Sequence, residues 1–221
     1  VKNNGLCFLF QKSFGTSGVN AIGSFQLSQL NSSSVQFKLK AAGINTNSKQ
    51  YKAAVKQMMS AGNGAMYGNI QGIKNLMSHY DKDGDYINPV NGLAGLLVTD
   101  DNENSRRRII SIPDSSKEEM YELTKKEFLR ENGVCNGDTT KRTDVYNNLY
   151  RKMSKKDRLA AGYTLEKYER IYRQAFYDAA KKADPNWEIG KPIKDGALDS
   201  VTRELAESGK SPAQATLDTK I

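Results

Sequence analysis

The chain is poor in the residues on which most reaction chemistry rests. Its 221 residues include one histidine, His79, one tryptophan, and two cysteines, Cys7 and Cys135. Two cysteines so far apart in sequence make no disulfide framework. A zinc site takes four Cys or His ligands, or three and a water, so these scattered residues exclude the usual zinc constellations. A Ser-His-Asp triad would have to use His79 as its base, and no GxSxG nucleophile signature accompanies it. A lone histidine beside a helix end reads as structural or solvated. Neither GxxxxGK[ST] nor a strand-associated GxGxxG occurs, so the common phosphate cradles are missing. Carboxylate pairs such as Glu118 with Glu122, or Glu127 with Glu131, have the i, i+4 spacing of exposed helix faces. Nothing in them separates an acid from a base. The reading is a non-enzymatic protein.

Long apolar runs are also lacking, and none approaches a membrane span. GLCFLF near the N-terminus is too short for a signal-peptide core and no small-residue cleavage site follows it. The expected compartment is the cytoplasm, with no transmembrane segment. The chain starts at Val1, so residues 1–14 read either as native sequence or as the product of a misplaced start.

What is present is polar and basic. Apolar residues make up 38% and charged residues 26%, with a net charge of +8. This composition supports a modest core. The charge favours acidic partners such as nucleic acid or anionic lipid, or serves solubility alone.

Along the chain, residues 1–33 form a Ser/Gly-rich stretch that reads as a flexible leader. VQFKLKAAG reads as a short helix closed by Gly43. Asn47 or Ser48 then caps a helix with Tyr51, Ala54, Val55, Met58 and Met59 at helical spacing, stopped by Gly62, Asn63 and Gly64. A third helix over Asn69 to Tyr80 aligns Ile70, Ile73, Leu76, Met77 and Tyr80. Leu96–Thr99 and RIISIPD, ended by Pro113, read as two strands pairing in a small hairpin. Ser116 and Glu119 have capping-box spacing and open a helix that Gly133 ends. VCNGDTTKR reads as a polar loop, and Thr143 or Asp144 opens the next helix. A short turn stopped by Gly162 follows, and Thr164 caps the longest helix, lined by Leu165, Tyr168, Tyr172 and Phe176. Trp187 and Ile189 read as anchors folding back on it, and LDSVTRELAES as a last short helix. Residues 208–221 read as a disordered tail. The expected fold is mainly α, a single helical domain over residues 34–207 with a small two-stranded β element and disordered termini.

The most chemically pointed stretch is HYDKDGDYI. Asp81, Asp83 and Asp85 match the first, third and fifth ligand positions of an EF-hand loop. The match then fails. The sixth position, which needs the positive φ of glycine, is Tyr86, and the twelfth, which needs a bidentate glutamate, is Gly92. Asn88, Asn91 or the Ile87 carbonyl offer further oxygens. Hard oxygen ligands favour calcium. The alternative is a turn built from Asp and Gly for their local hydrogen bonds, with Lys82 partly neutralising it.

A second feature is the basic, aromatic block 141–182. Arg170 and Arg173, joined by Arg106, Arg107 and Arg108, offer phosphate contacts, and interleaved tyrosines offer stacking. Against this, Tyr168, Tyr172 and Phe176 recur as a core stripe, and Glu166, Glu169 and Asp178 interrupt the positive field.

NTNSKQYKAAVKQMM, YDKDGDYINP, NGDTTKRTDVYNNLYRKM and DRLAAGYTLEKYERIYRQAF together resemble a family of small uncharacterised proteins from Gram-positive bacteria, a domain of unknown function. The resemblance spans Ser34 to Leu205. It implies one conserved module and brings no activity, cofactor or site residue. The expectation is a binding or interaction module, with a protein as its partner, that takes a divalent cation, calcium, at Asp81, Asp83 and Asp85. The alternative is a nucleic-acid-associated protein using the basic helices.

Overall fold

The computed structural model describes residues 24–61, 67–134 and 139–209. The chain divides into two compact units, Val1–Leu97 and Val98–Ile221. The described residues are mainly α-helical, with seven α-helices and one two-stranded antiparallel sheet. None of these helices is long and apolar enough to cross a membrane.

In the first unit, strand β1 (Ser24–Gln26) pairs with β2 (Tyr67–Asn69) in the register Phe25 opposite Gly68. A Cβ at Gly68 would lie 3.2 Å from a Leu27 methyl and 3.3 Å from the Phe25 ring. A side chain there would push the Leu27 and Phe25 side chains aside by a few tenths of an ångström. Helix α1 (Ser33–Ala41) is capped by Ser32, whose Oγ accepts from the Val35 N–H. It ends in a Schellman turn. Gly43 takes φ +79°, and the Ile44 N–H donates to Leu39 O at 3.0 Å. Helix α2 (Lys49–Ala61) begins on Ser48, whose Oγ accepts from the Tyr51 N–H at 3.1 Å. Helix α3 (Ile70–Met77) is capped by Asn69 through the Gly72 N–H at 2.7 Å. Phe25, Leu27, Leu30, Val35, Leu39, Ile44, Tyr51, Met58 and Ile73 form the core of this unit.

Two expectations change here. Residues 24–33 hold a strand and a 3-10 turn with buried Phe25, Leu27 and Leu30, although their composition reads as leader. A few well-placed apolar residues anchor the segment where mean composition suggests none. The α2 stripe is also narrower than its spacing suggests, with Met59 exposed. Residues 1–23, the 62–64 stop signal and most of the tail lie outside the described residues, as do both cysteines.

In the second unit, α4 (Asp114–Arg130), α5 (Thr139–Lys152) and the long α6 (Arg158–Ala183) pack together, with α7 (Arg203–Ser208) against α6. Their core gathers Met120, Tyr121, Phe128, Leu149, Leu165, Tyr172, Phe176 and Trp187. Phe128 stands between Phe176 and Trp187, with ring centroids 5.7 and 6.0 Å away. Trp187 is buried and donates its Nε1–H to Lys191 O at 2.8 Å, whereas Ile189, expected beside it as an anchor, is exposed.

The hairpin expected from Leu96–Thr99 and RIISIPD is absent, and the sheet lies at β1 and β2 instead. Ile110 and Ile112 do alternate inward, but onto the helical core. The Ile110 N–H donates to Thr164 Oγ1 at 3.1 Å, so a side chain on α6 takes the place of a partner strand. The Ser116/Glu119 capping box is also absent. Pro113 sets φ at −58°, and its carbonyl accepts from the Ser116 N–H at 3.0 Å, starting α4 at Asp114. Ser116 is therefore inside the helix and fully buried. Gly162 stops nothing and Thr164 caps nothing, because α6 runs through both. Gly162 instead admits Tyr150 of α5, whose hydroxyl would lie 2.6 Å from a Cβ there. Thr164 donates to Ala160 O one turn back at 2.8 Å. Helix α5 starts at Thr139, earlier than the Thr143 signal, and absorbs the end of the expected loop.

Candidate metal site

Helix α3 ends at Met77, and Ser78, His79 and Tyr80 continue it as turns onto Lys74, Leu76 and Met77 carbonyls. The chain then goes out and comes straight back. Tyr80 bridges Tyr86 in antiparallel sense. The Ile87 N–H donates to His79 O at 2.8 Å and the Asp81 N–H to Asp85 O at 2.9 Å. Asp81 to Asp85 is thus the tip of a short hairpin. Asp81 builds it, its Oδ1 accepting from the N–H groups of Asp83 (2.9 Å) and Asp85 (3.0 Å). Gly84 takes φ +86°, and a Cβ on it would lie 3.0 Å from the Lys49 carbonyl oxygen. Glycine is required there twice over, for conformation and for close approach.

The tip rests on a firm base. Gln50 of α2 donates its side-chain N–H groups to Met77 O (2.9 Å) and Tyr80 O (2.7 Å). The Tyr80 hydroxyl donates to Gln57 Oε1, and its ring meets Tyr86 edge to face at 5.9 Å. On this base one carboxylate oxygen each from Asp81, Asp83 and Asp85 lies within 4.8 Å of the others. Asp81 is half-buried and its two neighbours are exposed. Three carboxylates this close repel one another unless positive charge or hydrogen bonds offset them. The first turn of α2 packs on Gly84 through Lys49.

Beyond the three aspartates the loop is not an EF-hand. Tyr86 does not take the positive φ of the sixth position, and it pairs with Tyr80. Asn88 and Asn91 are turn formers, accepting from the N–H groups of Val90 (2.9 Å) and Leu93 (3.0 Å). Ile87 bridges Ala94, so a second turn, with Gly92 at φ +70°, replaces the exiting helix. The three aspartates converge as a set that could hold a metal ion, and they are the one such group among the described residues.

The five arginines of the nucleic-acid reading all belong to the second unit, each beside a carboxylate. Arg106 and Arg107 share Glu103, with N–O distances of 2.9 and 2.7 Å. These guanidinium contacts, led by the Arg106 hydrogen bond, hold the Glu103 carboxyl below its ordinary value. Arg108 faces Asp157 at 3.7 Å. Arg170 and Arg173 each bind the glutamate four residues back, Glu166 and Glu169, at 2.6 Å. Residues 1–97 contain nine lysines, three aspartates, no arginine and no glutamate, so six of the chain's eight net positive charges fall in the first unit. The second unit carries the other two, because carboxylates elsewhere in it offset the basic helices α5 and α6.

One charged cluster overturns a sequence reading, because Glu127, read with Glu131 as a pair on an exposed helix face, is buried. Glu127 on α4, whose side chain is 2% exposed, binds Arg142 of α5. Arg142 also binds Glu169 of α6 at 3.0 Å, and Glu169 binds Arg173. The signal in the sequence is that Glu127 falls at helical spacing with Met120, Leu123, Thr124 and Phe128, as the one charged residue among them. A carboxylate is held inside only when paired. The Tyr146 phenol is raised above its ordinary value, chiefly by burial and further by Glu169. Glu127 and Glu169 are therefore tied into a structural ion network.

Comparison with curated proteins found no match, and comparison with solved structures found none either. Residues 44–221 match the family described as Domain of unknown function (DUF3879). This match takes in α2, α3, the aspartate loop and the whole second unit, so the chain belongs to that family.

Proposed function

We propose that the chain is a non-enzymatic binding module whose Asp81-Asp83-Asp85 loop takes a divalent cation, calcium. The observation that carries this reading is the convergence of three carboxylate oxygens within 4.8 Å on a turn braced by Gln50, Tyr80 and Tyr86. A site whose ligands are already gathered loses little entropy on binding. All three ligands are hard oxygens, which suits calcium or magnesium, and the loose, exposed geometry suits calcium better than the strict octahedron of magnesium. With no bidentate glutamate and a positive first unit around it, the site belongs to the weak end of calcium affinities, about millimolar. Calcium bound at ten times Kd stabilises the folded unit by about 1.4 kcal/mol. The test is thermal unfolding by circular dichroism with calcium, with magnesium and with chelator. A rise in Tm with calcium that is absent in Asp85→Asn supports the reading, and equal curves in all three conditions oppose it.

The nucleic-acid reading draws less support. Arg106, Arg107, Arg108, Arg170 and Arg173 each engage a carboxylate of this chain, so phosphate would have to displace an existing partner.

A further inference from the structure

The lysines of the first unit are placed differently from the arginines of the second. Lys52 and Lys56 lie on successive turns of α2 and make no ion pair among the described residues. They form one wall of a cavity of about 380 Å³. Gln36 of α1, Asn31, Thr46, Asn47 and Val55 line the rest, with the buried Tyr51 at its floor. The volume lies within the range of small-molecule sites. Two properties restrict the occupant. No carboxylate lines the cavity, and every carboxylate of the first 97 residues is in the aspartate loop. The remaining lining pairs amide and hydroxyl groups, which recognise hydroxyl groups by hydrogen bonding, with apolar surface from Val55 and side-chain stems, which suits the C–H face of a sugar ring.

The floor is fixed in place. Gln36 donates its amide N–H groups to Leu30 O at 2.9 Å and to the Tyr51 hydroxyl at 3.5 Å. Accepting from Gln36 leaves the Tyr51 O–H proton free to donate elsewhere. Burial raises the Tyr51 phenol above its ordinary value, so it is a neutral donor at neutral pH.

We propose that this cavity binds a small phosphate-bearing, hydroxyl-rich molecule, of the chemical class of a sugar phosphate. Lys52 and Lys56 hold the phosphate, and Gln36, Asn47 and Tyr51 hold the hydroxylated body. The site is separate from the aspartate loop and of opposite charge, and it does not depend on cation binding there.

The test is calorimetric titration of the full chain with glucose 6-phosphate, glucose and inorganic phosphate as probes. Both lysines are exposed, so Lys52→Gln with Lys56→Gln preserves the fold, which circular dichroism verifies. Saturable binding of glucose 6-phosphate, weaker binding of inorganic phosphate, and a loss of about tenfold or more in the double variant are expected, since charge-assisted hydrogen bonds are the strong ones. Tyr51→Phe keeps the packing and weakens binding several-fold. No saturable binding, or binding unchanged by the double variant, overturns the proposal. A response to short single-stranded RNA with none to glucose 6-phosphate also overturns it and makes the lysines a nucleic-acid surface.

Discussion

Glu127 illustrates how much a single side chain decides in this protein. It is buried on α4, and Arg142 links it to Glu169 across three helices. Removing one partner of such a network leaves a charge inside without compensation, which costs far more than the pair contributes net. Arg142→Met is therefore expected to lower the unfolding free energy by about 3 kcal/mol. Arg170→Ala, which breaks an exposed pair with Glu166, is expected to cost less than about 0.5 kcal/mol. Urea unfolding followed by the fluorescence of Trp187, the single tryptophan, measures both in the second unit. Similar effects from the two variants would contradict the buried network. The i, i+4 spacing of Glu127 and Glu131 suggested an exposed face, whereas the apolar neighbours of Glu127 at helical spacing are what mark it as buried. Neither pattern could name Arg142, because that partner comes from a different helix.

Among the elements, local signals were readable where the local chain settles the matter. Gly43 closes α1 and Ser48 opens α2 because turn and cap chemistry acts within a few residues. The readings failed where a distant element supplied the partner. The Ile110–Ile112 alternation suggested a strand, and Thr164 on α6 took the hydrogen bond that a second strand would have made. Gly162 suggested a stop, and Tyr150 on α5 turned it into a point of close approach. Gly162→Ala tests this directly. Helix propensity alone predicts a gain of about 1 kcal/mol. A Cβ 2.6 Å from the Tyr150 hydroxyl predicts a net loss instead, part of which Tyr150→Phe recovers in the double variant. Stabilisation by Gly162→Ala would show that the two helices are not so close. The aspartate loop was readable only in part. Asp81, Asp83 and Asp85 converge as their spacing suggested, whereas the bridge between Tyr80 and Tyr86 that folds the loop back rests on pairing.

In the whole molecule, charge separates by unit. The first unit is lysine-rich with its carboxylates gathered at one tip, and the second is dense in ion pairs. Lys117 lowers the Asp114 carboxyl, Arg106 the Glu103 carboxyl and Lys191 the Glu188 carboxyl, each mainly through a side-chain hydrogen bond. A carboxyl with a depressed folded pKa contributes stability that is complete above its unfolded value, about 4, and is lost as pH falls through the lower folded value. The Trp187-monitored Tm is thus expected to stay level from about pH 8 to 5 and to fall gradually below about pH 4. A fall already between about pH 6 and 5 would contradict this assignment. These carboxyls are all exposed, so each contribution is small and weakens further with added salt. The proposed calcium site lies in the other unit. The central claim is that the aspartate tip is a cation site, and calorimetric titration of calcium into the full chain and into Asp83→Ala tests it most directly. Asp83 is the better target because Asp81 also builds the turn. The account predicts saturable, one-site, roughly millimolar binding to the natural chain and none to Asp83→Ala. No saturable heat up to several millimolar calcium, or equal heat in the variant, would mean that HYDKDGDYI is a turn and nothing more.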